Sequence, residues 1–194
     1  MNFQAAGIMM AVALAGHSAH GAESGKLPNV TVPVYVSTGN EKLTVLLHAE
    51  DLARKMFRAA GVEIAWCNGI GSCRHSSGEI VVTLLDAAPP YFSSEGVARA
   101  LPFEGTHIEV LYFRLKSLPR SLQPTLLAHV LVHEMTHIIQ GLDRHSVSGL
   151  MKAHWDKDDY AALLQKPLPF TAEDIELMQM GLKQRLASYA GSKQ

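Results

Sequence analysis

Alternation of apolar and polar positions divides the chain into a strand-rich first part and a helix-rich second part. Residues 30–36, Val-Thr-Val-Pro-Val-Tyr-Val, alternate and are rich in β-branched side chains, which suit a pleated, half-buried surface and predict a first strand. Pro33 has no N–H to offer a neighbour, which argues for an edge or irregular position. From residue 49 the period changes: Leu52, Met56 and Ala60 recur at helical spacing, and Gly61 supplies a stop. Residues 62–66, 79–85 and 107–113 predict three further strands, each bounded by turn residues. Between the last two lies 87–105, rich in Pro, Gly and Ser, which is expected to be a long functional loop.

The second part opens on Leu126 to Val132, apolar and free of Gly and Pro, with Pro124 just ahead of it. This predicts a buried helix, ended at Gly141 by a residue that tolerates positive φ. Trp155, an acidic turn at Asp156, Asp158 and Asp159, Tyr160 and a bend bounded by Pro167 and Pro169 follow. A last helix is predicted over 171 to about 188, with Thr171 as N-cap and Glu173 and Asp174 in the first turn, where carboxylates complement the helix dipole. The expected fold class is α+β: a small mixed sheet with a helix across it, then a mainly helical C-terminal subdomain beginning near Gly141.

Composition adds a compartment. Residues 1–22 carry no charged side chain, run through Ile8, Val12 and Leu14, and end among small residues, which predicts a signal peptide although no Lys or Arg stands near the start. The apolar run is short for a membrane span. Cleavage would leave 23–194, roughly 170 residues and enough for one domain, in a secreted or periplasmic location. There the two cysteines, Cys67 and Cys73, spaced by five residues in a turn-rich segment, are expected to form a local disulfide. A net charge of −1 with no basic cluster argues against a nucleic-acid partner, and no stable membrane partner is expected.

The chemistry is concentrated in His133-Glu134-Met135-Thr136-His137, followed by Gly141, His145-Ser146 and Ser148-Gly149-Leu150-Met151. Two histidines four apart on a helix share a face, so both imidazoles can converge on one ion, and Zn2+ is the cofactor this donor set suits. In this arrangement the carboxylate of Glu134 reaches a metal-bound water rather than the metal and can take its proton. His145 and Asp143 compete as third ligand, since a carboxylate oxygen also suits zinc. His129, one turn before His133, is expected to be a core or supporting histidine, because a fourth protein ligand would close the position a catalytic water needs.

That run of residues, across about 133 to 151, resembles the metzincin zinc metallopeptidases, with matrixins nearest by the His-Ser and Leu-Met pairs. It is also similar to a group of small exported bacterial proteins that carry the His-Ser pair at this longer spacing. The chain departs from the metzincin pattern, having Gln140 and Asp143 where Gly and the third His would fall. A loop longer by one residue on each side of Gly141 keeps His145 in place, and the resemblance favours it over Asp143. The resemblance further implies a metzincin-like fold with a zinc cleft, peptide or protein substrates, Met151 as the residue beneath the three imidazoles, and an edge strand along the cleft, for which 107–113 is the candidate. Tyr160 and His154 are candidates to assist at the oxyanion. Two other readings stay open: a gluzincin-type hydrolase with Glu173 or Glu176 as third ligand, and a non-catalytic zinc-binding exported module, which has no need of Glu134.

Overall fold

The computed structural model describes residues 30–37, 43–67, 78–92 and 96–191; the expected signal peptide and Cys73 lie outside them. Five strands form one mixed sheet in the order β2-β1-β3-β5-β4. β1 (Thr31–Ser37), β2 (Glu63–Trp66), β3 (Ile80–Leu85) and β5 (His107–Leu111) run parallel, and β4 (Ala98–Ala100) pairs antiparallel to β5 at one edge. Alternation is visible in burial: Val32, Val34 and Val36 of β1 and Ile80, Val82 and Leu84 of β3 point into the core.

β1 is interior, not an edge. Pro33 is tolerated because successive residues of a strand direct their main-chain groups to opposite sides. The Val34 carbonyl accepts from the Cys67 N–H on the β2 side. Pro33 therefore faces the other neighbour, and β3 begins only opposite Val34. The missing N–H falls on the β3 side, one residue before that pairing begins.

The predicted first helix is longer than its apolar spacing suggested. α1 (Leu43–Ala59) starts six residues earlier, and Leu46, Ala49, Ala53, Met56 and Phe57 form its buried stripe against the sheet and the next long helix. The expected strand 107–113 ends at Leu111, where the chain turns into the short α2 (Tyr112–Lys116). Within the expected loop 87–105 lies β4, which displaces 107–113 from the edge.

α3 (Gln123–Gln140) has Pro in its first turn and ends on Gly141 in the left-handed region, φ 66°. It is buried nearly throughout, so tertiary packing rather than propensity holds it. The acidic turn is the start of a helix: Asp156 caps α4 (Lys157–Leu163) in a reciprocal capping box with Asp159. Thr171 opens α5 (Ala172–Gly191), accepting the Asp174 N–H at 3.1 Å while Asp174 accepts the Thr171 N–H at 2.9 Å. α5 packs on α3 at Gly181, where a Cβ would stand 1.9 Å from the Ile139 carbonyl oxygen. Arg185 fastens the pair by donating to the carbonyls of Ile138, Gly105 and Gly78. Among the described residues no helix is long and apolar enough to cross a membrane.

Candidate metal centre

α3 supplies two imidazoles because His133 and His137 stand one turn apart on one face of the helix. Each ring is aimed by a main-chain oxygen. His133 Nδ1 lies 2.9 Å from the Leu150 carbonyl and His137 Nδ1 lies 2.9 Å from the Leu142 carbonyl. A carbonyl only accepts, so both Nδ1 atoms carry the proton and both Nε2 atoms present lone pairs. Those Nε2 atoms stand 3.2 Å apart.

Two acceptors at that distance call for a cation between them. Tetrahedral zinc with nitrogen at about 2.0–2.1 Å holds its donors roughly 3.3 Å apart, close to what the two rings already show. His145 completes the group: the donor atoms of His133, His137 and His145 all lie within 4.8 Å of one another. The donor set fits zinc on type, number and spacing. Burial pushes the imidazolium of His133 down to about 4, against the opposing pull of the Leu150 carbonyl, and burial lowers His137 in the same direction. Both rings are thus in the neutral, ligating form at neutral pH.

Glu134 lines the cleft together with His133 and His145. Burial pushes its carboxyl up to about 8, partly opposed by a hydrogen bond from the Ala100 backbone and reinforced by the charge of Asp143. None of the competing carboxylates joins the converging donor group, although Asp143 is near enough for its charge to act on Glu134 and His137. Asp143 is exposed and outside the histidine group; Glu173 pairs with Arg144; Glu176 is exposed. His129 is fully buried with both nitrogens engaged, Nδ1 donating to the Thr125 carbonyl at 2.8 Å and Nε2 accepting from the Leu168 N–H at 3.1 Å.

The cleft has a volume of about 320 Å³. One wall is the stretch Gly96, Val97 and Ala98 leading into β4; the other is formed by Lys152, His154, Trp155 and Tyr160. β4 bonds to β5 through Val97 and Leu101, which leaves the main-chain groups of Ala98 and Ala100 directed away from β5, towards α3 and Glu134. Tyr160 and His154 both reach the cavity. Met151 and Leu150 are completely buried. Their turn is tight: Gly149 has φ 75°, and a Cβ there would stand 2.4 Å from the Pro169 carbonyl. The Met151 carbonyl accepts the Ser146 N–H at 2.7 Å, tying the turn to the residue after His145.

Three parts of this site had no side-chain signature. The carbonyls of Leu142 and Leu150 act through the main chain, which any residue could supply. Trp155 stands edge-on to both His133 and His129, with ring centroids 5.9 and 6.0 Å away, and donates to the Leu150 carbonyl at 3.1 Å. Asp174 is legible only as an acid in the first turn of α5, where Thr171-x-x-Asp174 has the spacing of a capping box and nothing in the sequence links it to His145.

No protein-family model matches this chain, and no curated protein sequence does. Among solved structures it is similar to the archaemetzincin from Methanopyrus kandleri, with a TM-score of 0.51 and 16% identity over 84% of this chain and 99% of that one. At that identity the likeness speaks to fold: the α+β architecture is metzincin-like.

Proposed function

We propose that the protein is an exported zinc metallopeptidase. The observation that carries this reading is the convergence of His133, His137 and His145 beside a half-buried Glu134 in an open cleft. Bound there by the three imidazoles, zinc would supply Lewis-acid polarisation of a peptide carbonyl and a lowered pKa for water. Glu134 accepts the proton of the attacking water and returns it to the leaving nitrogen. Without a cation its carboxyl sits near 8, and a positive charge among the imidazoles draws it down towards neutrality, the range in which one group can both take and give a proton.

The substrate is an extended peptide lying along β4. Gly96, Val97 and Ala98 line the cleft ahead of the Ala100 backbone that bonds Glu134, and strand addition at such an edge orients a backbone without reading its sequence. Met151 underlies the rings, and Tyr160 or His154 contributes to oxyanion stabilisation. Export through residues 1–22 and a Cys67–Cys73 disulfide belong to the same reading, since an oxidising compartment would keep the buried Cys67 paired.

The test is zinc content and cleavage of an unfolded protein substrate, measured on wild type and Glu134→Gln. The expected result is one zinc per chain in both, with cleavage lowered about 10²–10⁴-fold in the variant. Zinc in both with no cleavage by either favours a binding module. Unchanged cleavage in the variant contradicts the role given to Glu134.

A further inference from the structure

The three imidazoles are not held alike. His133 and His137 each donate from Nδ1 to a carbonyl, the usual way a ligating histidine is aimed. His145 has no comparable hydrogen bond to its ring among the described residues, is exposed, and sits on an irregular segment. Its direction must come from the backbone on either side. Both neighbours of His145 converge on one carboxylate. Oδ1 of Asp174 accepts from the Ser146 hydroxyl at 2.6 Å and from Arg144 Nη1 at 3.1 Å.

We infer that Asp174 is the positioning residue for the third imidazole, doing through Arg144 and Ser146 what carbonyls do for the other two. Asp174 is completely buried. Its other oxygen accepts the Thr171 N–H at 2.9 Å, and its main-chain oxygen accepts from Gln140 Nε2 at 3.2 Å. One residue thus joins the end of α3, both flanks of His145 and the start of α5. A loop gripped at both flanks loses little freedom when its histidine takes up a metal, so the grip appears as metal affinity. A carboxylate whose only task was to cap α5 would have no bond to Ser146 or Arg144.

This inference rests on the zinc reading of the site. It is tested by zinc affinity from chelator competition, alongside the melting temperature of the zinc-free proteins, for wild type, Ser146→Ala, Asp174→Asn and Thr171→Ala. Ser146→Ala removes the shorter of the two links to the flanks of His145 and spares the cap; Thr171→Ala weakens the cap and spares both links. The expected result is zinc affinity weakened about tenfold in Ser146→Ala and up to about 100-fold in Asp174→Asn. Ser146→Ala should keep nearly the wild-type melting temperature without zinc. Thr171→Ala should melt lower yet bind zinc as wild type does. Cobalt loaded in place of zinc should show an altered visible spectrum in Ser146→Ala and an unaltered one in Thr171→Ala. If Asp174→Asn fails to fold, the Ser146 and Thr171 pair decides. Wild-type affinity in Ser146→Ala, or equal weakening in Thr171→Ala, overturns the inference alone. A wild-type protein that binds no zinc overturns the metal reading as well.

Discussion

The cleft has two unlike sides. α3 brings His133, Glu134 and His137 into place by helical periodicity, inside a helix whose geometry is fixed by repeated main-chain bonds and apolar burial. The opposite side, from Gly141 to Pro169, contains little regular structure before α4 and holds its shape by discrete contacts. Leu150 O receives two side chains, Ser146 N meets Met151 O, Gly149 presses on Pro169 and Asp174 receives Ser146 and Arg144. A helix distributes the task of placing a ligand over many equivalent interactions. An irregular segment concentrates it in a few, so single substitutions there should alter the site more than the fold.

The glycine contacts give the largest test of this contrast. Gly181→Ala, on the helix side, drives a Cβ into the Ile139 carbonyl and should cost about 4 kcal/mol, lowering the melting temperature by about 8–16 °C. Gly149→Ala, on the irregular side, meets both a left-handed φ and the Pro169 carbonyl and should cost about 3 kcal/mol. Gly149→Ala should weaken zinc binding beyond its effect on stability, and Gly181→Ala should weaken it no more than its lost stability requires. Equal ratios in the two variants would erase the distinction.

Acid should separate the two sides next. His129, His133 and His137 on α3 are all held below the ordinary histidine value of 6.5, chiefly by burial, so the unfolded chain takes up protons first. Stability of the zinc-free protein should therefore fall as pH drops from 6.5 towards about 4, where His133 itself titrates. Asp174 acts in the same sense but at lower pH. Burial raises its carboxyl, but hydrogen bonds from Ser146, Thr171 and Arg144 outweigh that and hold it below 3.8. Its contribution is present above that value and is lost only as pH falls beneath it. Denaturant unfolding of the zinc-free protein from pH 7 to pH 3 should show the first decline, and His129→Phe should make it shallower. A flat profile between pH 7 and 5 would contradict the neutral imidazoles.

How much of the molecule was legible in its sequence follows the same division. Strands β1, β2 and β3 and helix α3 stood out because burial imposes a period on their side chains. The three α3 residues at the site were legible from the spacing of His133, Glu134 and His137 on one helix. β4 was not, since Ala98-Arg99-Ala100 has no strand propensity and exists as a strand only because β5 offers it partners. The edge was accordingly misplaced onto 107–113, and β1 was moved outward by Pro33 although the stagger of β3 accommodates it. α1 begins earlier than expected because packing on α3 overrides the weak helix propensity of Thr44 and Val45. On the irregular side the determinants are carbonyl oxygens and one buried carboxylate distant in sequence, which periodicity does not reveal.

The smallest test concerns the contact between the two sides. Trp155→Phe keeps an aromatic ring against His129 and His133 but loses the Nε1 bond to Leu150 O, and should cost about 1 kcal/mol in a thermal melt. Because the Leu150 carbonyl still receives His133, zinc affinity should change little. A loss of zinc out of proportion to stability would mean that the indole, not the carbonyl, orients that ring.

The most direct measurement is X-ray absorption at the zinc edge of the purified protein, with metal content determined on the same sample. The expected result is one zinc per chain with three imidazole nitrogens at about 2.0–2.1 Å and one further oxygen from solvent. A fourth protein ligand, a carboxylate in place of the third imidazole, or no bound zinc would contradict the catalytic three-histidine centre.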